Sequence, residues 1–293
     1  MVKSYILVYI FLASLGSIAI YSELNEDDVA SQLTELEINW QRYRLNIHAK
    51  IELPVESNDL SNYVMRSYVK EIVARKVSSS MENLVIDNEH KLMDMLDSSV
   101  TFRREYPMYL DSMEISSVNY RNNSIYTRAV LPIRGSNGLL SRIPIEWETV
   151  RYSSLEGDEY ITDVYNESSV NYEYKRNSLP IDYTGLIVDI RGQAIQKAVV
   201  PRIFSQSGRL IYGPEFINRK IGTVRGLVSY VKSLNDPEVA IRAGSKPYFT
   251  AALSMSGKFN SDPVIAETEV ANFLESTESI KNLLKCRVIF LVD

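Results

Sequence analysis

Cysteine is almost absent from this chain, and histidine is scarce. There is one cysteine, Cys286, and there are two histidines, His48 and His90, in 293 residues. A lone cysteine cannot close an intramolecular disulfide. It also lies far from the N-terminus, so it offers no attachment point for an N-terminal lipid. The two histidines and the cysteine fall in different predicted elements, without the short ligand spacings of a zinc site. No metal site and no bound cofactor is expected. No Gly-x-Ser-x-Gly occurs, and a serine triad would have to recruit His48 or His90, whose polar contexts read as surface. Gly185, Gly192 and Gly208 stand too far apart to cradle a phosphate at a helix start. The 32 Lys and Arg, against 37 Asp and Glu, form no basic patch, which argues against nucleic acid as a partner.

What the chain does have begins with an apolar leader. Lys3 precedes a mostly apolar run from Tyr5 to Leu15, followed by small residues at Gly16, Ser17, Ala19 and Ser22. Residues 1–22 read as an export signal cleaved after Ala19 or Ser22. An uncleaved anchor helix is the alternative, although the apolar stretch is short for a span of roughly 20 residues. No second stretch of spanning length follows, so no transmembrane segment is expected after cleavage. The acidic run Glu23 to Asp28 lacks the glycine and oxygen spacing of a calcium loop. It reads as a solvated helix start, because acidic groups favour the positive end of the helix dipole.

Hydrophobic spacing then divides the chain. Val29, Leu33 and Leu36 predict a short amphipathic helix over residues 23–36. Tyr43, Leu45, Ile47, Ala49, Ile51 and Leu53 alternate with charged residues, which predicts a half-buried strand ended by Pro54. Residues 58–98 read as helical, with a bend or break expected at Ser78-Ser79-Ser80 and a second break at Asp87-Asn88. From Met113 the period is two again. Strands are expected to about Tyr120, over Ile125 to Ile133, over Ile143 to Thr149, and over 159–165 and 170–174, with turns at 121–124 and 135–138. Asn177 to Pro180 looks like a boundary. Beyond it, Leu186 to Ile190 and Val288 to Val292 are nearly continuous apolar runs, as in strands buried on both faces. A strand through Phe249, Ala251, Leu253 and Met255 lies between them in sequence. Helical faces are read at Val224, Leu227, Val228 and Val231, and from Val270 to Leu284. The expected fold class is α+β: a helix plus antiparallel-sheet domain over 23–180, then a small mixed α/β domain over 181–293.

The most specific stretch is Tyr183 to Gly192. An apolar run is boxed between Gly185 and the sequence Asp189-Ile190-Arg191-Gly192. A carboxylate and a guanidinium two residues apart at a strand end invite a catalytic reading. The architectural reading weighs more, because residues i and i+2 share a strand face and Gly192 permits a positive φ. Cys286, set against Val288 to Leu291, reads as a buried small hydrophobe rather than a reactive thiol. The chain holds 19 tyrosines. Tyr165, Tyr172 and Tyr174 gather near the boundary, half-buried on a sheet or forming an interface patch.

Taken in order, Tyr183, Gly185, Asp189, Arg191 and Gly192, then Pro201-Arg202-Ile203, Gly208, Tyr212-Gly213, Gly257-Lys258, Asp262, and Cys286-Arg287 with Val292-Asp293, make residues 183–293 resemble the FlgP-like flagellar and outer-membrane lipoprotein family. The resemblance implies a non-enzymatic envelope protein that self-associates and assembles with other envelope or flagellar proteins in support of motility. It supplies no catalytic residues. Members commonly carry a lipidated N-terminal cysteine, which this chain lacks. The expectation is an exported structural protein, periplasmic or outer-membrane associated. Two other classes stay open: an envelope binding module for glycan, peptidoglycan or a host ligand, and a hydrolase using a carboxylate pair.

Overall fold

Alternation of apolar and polar side chains shapes the N-terminal half. In the computed structural model, which describes residues 31–52, 62–122, 124–149 and 180–293, strand β2 (Arg44–Glu52) buries Leu45, Ile47, Ala49 and Ile51 and turns its even-numbered side chains outward. It pairs antiparallel with β1 (Ser31–Asn39) on one side and β4 (Ser124–Pro132) on the other. Strand β3 (Glu114–Arg121) completes an antiparallel sheet of order β1-β2-β4-β3. One face of this sheet packs on helix α1 (Asn62–Met81), which buries Val69, Val73, Val77 and Met81 at fourfold spacing. Ser79 and Ser80 do not interrupt α1: their hydroxyls donate back to the Lys76 carbonyl at 3.0 and 2.9 Å. Two short helices follow, α2 (Leu92–Ser98) and α3 (Val100–Asp111).

Several expectations need correction here. Residues 31–36 belong to β1 and not to a helix, because Leu36 and Ile38 alternate with Glu35 and Glu37 toward the core. Helix α3 had no counterpart in the sequence reading. Its Pro107 would ordinarily cost a helix interior about 3 kcal/mol. Burial of Phe102, Tyr106 and Tyr109 on one face offsets that, and Ser99 caps the start by accepting from the Phe102 amide at 3.2 Å. Residues 143–149 form no strand. After a 3₁₀ turn at Leu139–Ser141 they run irregularly against the C-terminal half. The export segment, the strands expected at 159–165 and 170–174 with their tyrosines, and residues 177–179 lie outside the described residues.

The C-terminal half is mixed α/β. Strands β5 (Leu186–Asp189), β8 (Ser229–Val231), β9 (Tyr248–Ala251) and β12 (Val288–Leu291) form an all-parallel sheet of order β8-β12-β5-β9. It is buried on both faces, as its continuous apolar runs require. Leu186, Val188, Val288 and Phe290 face the main core. Ile187, Val231, Ile289 and Leu291 face helix α5 (Pro237–Ala243) through Val239 and Ala243. Strands β6 (Ile203–Ser205), β7 (Leu210–Tyr212), β10 (Ser254–Ser256) and β11 (Asp262–Ile265) make a second small sheet, ordered β10-β11-β6-β7.

Three further expectations change in this half. The strand read through residues 249–255 is two strands, β9 and β10, in different sheets; Ala252 donates to Asp189 and Leu253 to Val264 as the chain crosses between them. The helix read over 224–231 is the end of helix α4 (Arg219–Arg225) followed by β8, because Gly226 takes φ 71° and ends the helix. The helix read over 270–284 is a pair, α6 (Glu267–Leu274) and α7 (Thr277–Leu284), divided where the Ser276 hydroxyl caps α7.

One hydrophobic core runs from Tyr43 to Val292 and so includes both halves. Three contacts carry it across. The turn between β1 and β2 inserts Tyr43 into the C-terminal half, with Trp40 edge-on to Tyr230 at 5.3 Å. The loop after α1 lays its backbone along residues 199–200, with the Val199 amide donating to the Val85 carbonyl at 3.1 Å and Val200 to Ile86 at 2.7 Å. Trp147 packs on α4 so closely that a Cβ at Gly222 would lie 2.1 Å from its ring.

Candidate functional site

The segment singled out in the sequence ends at the carboxyl edge of the parallel sheet. Asp189 closes β5, and the chain turns at once. Arg191 folds back on it: Nε donates to Asp189 Oδ1 at 2.9 Å and Nη2 to Oδ2 at 2.6 Å, while the Arg191 amide donates to Oδ1 at 3.1 Å. These bonds hold the Asp189 carboxyl below the usual carboxylate range. Gly192 takes φ 74°, and its amide donates to Asp293 Oδ2 at 2.9 Å. The turn after β5 is thus tied to Asp293, the second residue beyond β12, its sheet neighbour. Both carboxylate oxygens of Asp189 are engaged by this turn, which is the geometry of a structural clasp.

The other residues of the segment set packing distances. Gly185 lies where α5 ends against the sheet; a Cβ there would come within 2.7 Å of Ala243 Cα, Ala243 O and Arg287 O. Tyr183 lies edge-on to Tyr248 at 4.8 Å, and its amide donates to the Ser279 hydroxyl at 2.9 Å. Arg287 donates through Nη1 to the Thr184 carbonyl at 3.3 Å. Pro201 is buried next to Arg202, whose amide donates to Asp262 Oδ1 at 2.9 Å. At Gly213 the backbone is extended, and a Cβ would meet Glu215 Oε2 at 2.4 Å.

A second cluster lies buried between the halves. Cys286 ends helix α7 with φ 57°, a left-handed position usually held by glycine. Its amide donates to Leu283 O at 2.9 Å and the Arg287 amide to Asn282 O at 3.3 Å, the paired bonds of a Schellman ending. The thiol is fully buried, and burial pushes it up despite the nearby Arg242 guanidinium. Arg242 is itself buried, without a carboxylate partner among the described residues. It is satisfied by neutral acceptors: Val288 O at 2.9 Å, Arg225 O at 3.0 Å, Ser229 Oγ at 3.1 Å and Gly226 O at 2.5 Å. Tyr212 donates its hydroxyl to Leu227 O at 2.5 Å. Burial pushes the Tyr43 hydroxyl up to about 12. Tyr43 and Gly226 are matched, since a Cβ at Gly226 would lie 3.0 Å from the Tyr43 ring.

Asp262 is the most unusual carboxylate. It is fully buried, its Oδ1 accepts from the Arg202 amide and from the Ser261 hydroxyl at 3.1 Å, and its Oδ2 has no hydrogen-bond partner among the described residues. Burial raises it to about 6 against the pull of those two donors, and Asp87 across the joint adds to the rise.

Chemically, these arrangements hold the fold together. His90 Nδ1 lies 3.0 Å from Asp87, in a turn where Asp87 also accepts from the Glu89 and His90 amides. His48 lies far from it on the outer face of β2. No group of three or more His, Cys, Asp or Glu side chains among the described residues is placed to hold a metal ion. No helix among them is long and apolar enough to cross a membrane.

Comparison with known families reaches only the C-terminal part of the chain. Residues 185–293 match the second domain of Treponema pallidum Tp0624. That family consists of uncharacterised spirochaete proteins. The match begins at Gly185, the glycine at the sheet–helix contact, and includes Asp189, Arg191, Gly192, Cys286 and Asp293. The match overlaps the segment compared above with the FlgP-like family and gives no support to that relationship. No curated protein matches the chain. The sequence reading missed Arg242 and Tyr43, whose signals were a lone arginine on an otherwise apolar helix face and a tyrosine at the start of an alternating strand.

Proposed function

We propose that the chain is an exported, non-catalytic structural protein of the bacterial cell envelope, and that it belongs to an assembly associated with the flagellar motor. The observation that carries the first part is the clasp. The residues most suggestive of chemistry, Asp189, Arg191, Gly192 and Asp293, spend their polar groups on one another across neighbouring strands. A scaffold needs such rigidity, and it needs surfaces for neighbours. Strand β9 offers one: it is an edge of the parallel sheet, and Phe249 on it and Leu253 just beyond are about half exposed. The apolar leader supports export, and the FlgP-like resemblance of residues 183–293 supports the flagellar assignment.

Cell fractionation of the native organism tests export; recovery in the cytoplasmic fraction overturns it. Imaging of motors in a deletion strain tests the assembly. The expected result is loss of motor-associated density together with impaired swimming. Unchanged motors and normal swimming would remove the flagellar part.

A further inference from the structure

The outer face of the N-terminal sheet carries a cluster of charge, in which Glu35 lies 3.9 Å from His48 Nδ1. Across one row, Glu35 on β1, His48 on β2 and Arg128 on β4 are cross-strand neighbours, and Glu37 and Asn46 are paired in the next row. Arg44 stands further along β2 on the same face. These side chains, with Ser116, line a concave cavity of about 370 Å³, a volume in the range of small-ligand sites. Both edge strands are irregular beside this row. The register of β1 shifts between Leu33 and Glu35, and that of β3 between Ile115 and Ser117, opposite Arg128. Bulges bend a strand and re-aim its side chains, and they gather next to functional sites. The Ser116 hydroxyl fixes the second bulge by donating to the Arg128 carbonyl at 2.9 Å.

The charges are arranged in columns. Glu35 and Glu37 stand on β1, while the guanidinium groups come from β2 and β4. Arg44 Nε is buried with no hydrogen-bond partner among the described residues. The Arg128 guanidinium, on an exposed residue, makes no ion pair or hydrogen bond there. Two forked donors left unspent beside two carboxylates call for a ligand with both signs of charge. Spacing sets its length. Adjacent strands lie about 4.8 Å apart, so the β1 and β4 columns are roughly 10 Å apart. An extended chain covers about 3.3–3.6 Å per residue, so the termini of a tripeptide span that distance. A free amino acid carries both charges on one carbon and cannot reach both columns.

We propose that this face binds a tripeptide with free termini, its carboxylate held by Arg44 and Arg128 and its ammonium by Glu35 and Glu37. The site lies outside residues 185–293 and stands independently of the scaffold role. Calorimetric titration of the full chain with tri-alanine tests it, with N-acetyl-tri-alanine amide and inorganic phosphate as controls at equal ionic strength. Saturable one-to-one binding of tri-alanine is expected, with both controls at least about tenfold weaker, since each removes a charge-assisted contact. Arg128→Ala and Glu37→Gln should each weaken binding by about tenfold with the melting temperature unchanged, and Arg128→Lys should recover part of the loss. The proposal is overturned if tri-alanine gives no saturable heat, if either control binds as tightly, or if the variants bind like the parent chain.

Discussion

The two large sheets handle their polar groups in opposite ways. The parallel sheet β8-β12-β5-β9 is buried on both faces, and at its carboxyl edge Asp189, Arg191, Gly192 and Asp293 bind each other. The antiparallel sheet β1-β2-β4-β3 is buried on one face only and leaves Arg44 and Arg128 uncommitted on the other. The half of the chain with the recognisable motif is therefore the one whose chemistry is spent internally. The uncommitted guanidinium groups lie in the half that carries no family match. A motif rich in Asp, Arg and Gly can owe its residues to geometry alone.

Substitutions can break or sharpen this contrast. The largest effect is expected at the joint. Tyr43→Ala removes a fully buried ring that reaches from the antiparallel turn to Gly226 and Val228. Destabilisation of about 4 kcal/mol is expected, read from the urea midpoint. Both sheets should unfold earlier; loss confined to one sheet would mean the core is not shared.

Asp262 comes next, and its effect depends on pH. Its folded value, about 6, lies above the ordinary 3.8. Ionisation therefore opposes folding: the penalty is absent below pH 4, grows between 4 and 6, and is full above 6. The two-unit difference sets an upper bound of about 3 kcal/mol. Asp262→Asn should raise the melting temperature at pH 8 relative to the parent, and the gain should vanish by pH 4. A gain that does not change with pH would contradict the buried ionised carboxylate.

Gly185→Ala should cost about 2 kcal/mol, because the added methyl meets backbone atoms of Ala243 and Arg287 that cannot yield cheaply. Thermal unfolding by circular dichroism reads it. The smallest effect is expected at the clasp. Asp189→Asn should lower the melting temperature by less than about 3 °C at pH 7, since the partner guanidinium is half exposed. Arg191 holds Asp189 below its usual range, so this contribution is present above about pH 4 and is lost as pH falls through the lower folded value. The parent and variant should converge in acid.

How much of this was readable from the sequence depended on how local each signal was. Strand β2 and the β3–β4 hairpin were legible because alternation and the turn at 121–124 agree. Strands β5 and β12 were legible because doubly buried strands are continuously apolar. Residues 31–36 were misread because Leu33 and Leu36 fit a helical period, while the alternation of Glu35, Leu36, Glu37 and Ile38 marked a strand. At 224–231, Gly226 was the overlooked stop. The Asp189–Arg191 pair could be placed on one strand face, but its link to Asp293 joins residues 101 apart. The joint was illegible for the same reason: Tyr43 and Val228 lie 185 residues apart, and nothing in either neighbourhood names the other.

Native-state hydrogen exchange in increasing urea, followed by mass spectrometry, tests most directly whether the two sheets form one body. Amides of β2 and β5 are the reporters. The shared core predicts that both open in one transition, with the same free energy and the same urea dependence. Two separated transitions, with β5 surviving after β2 has opened, would contradict the account.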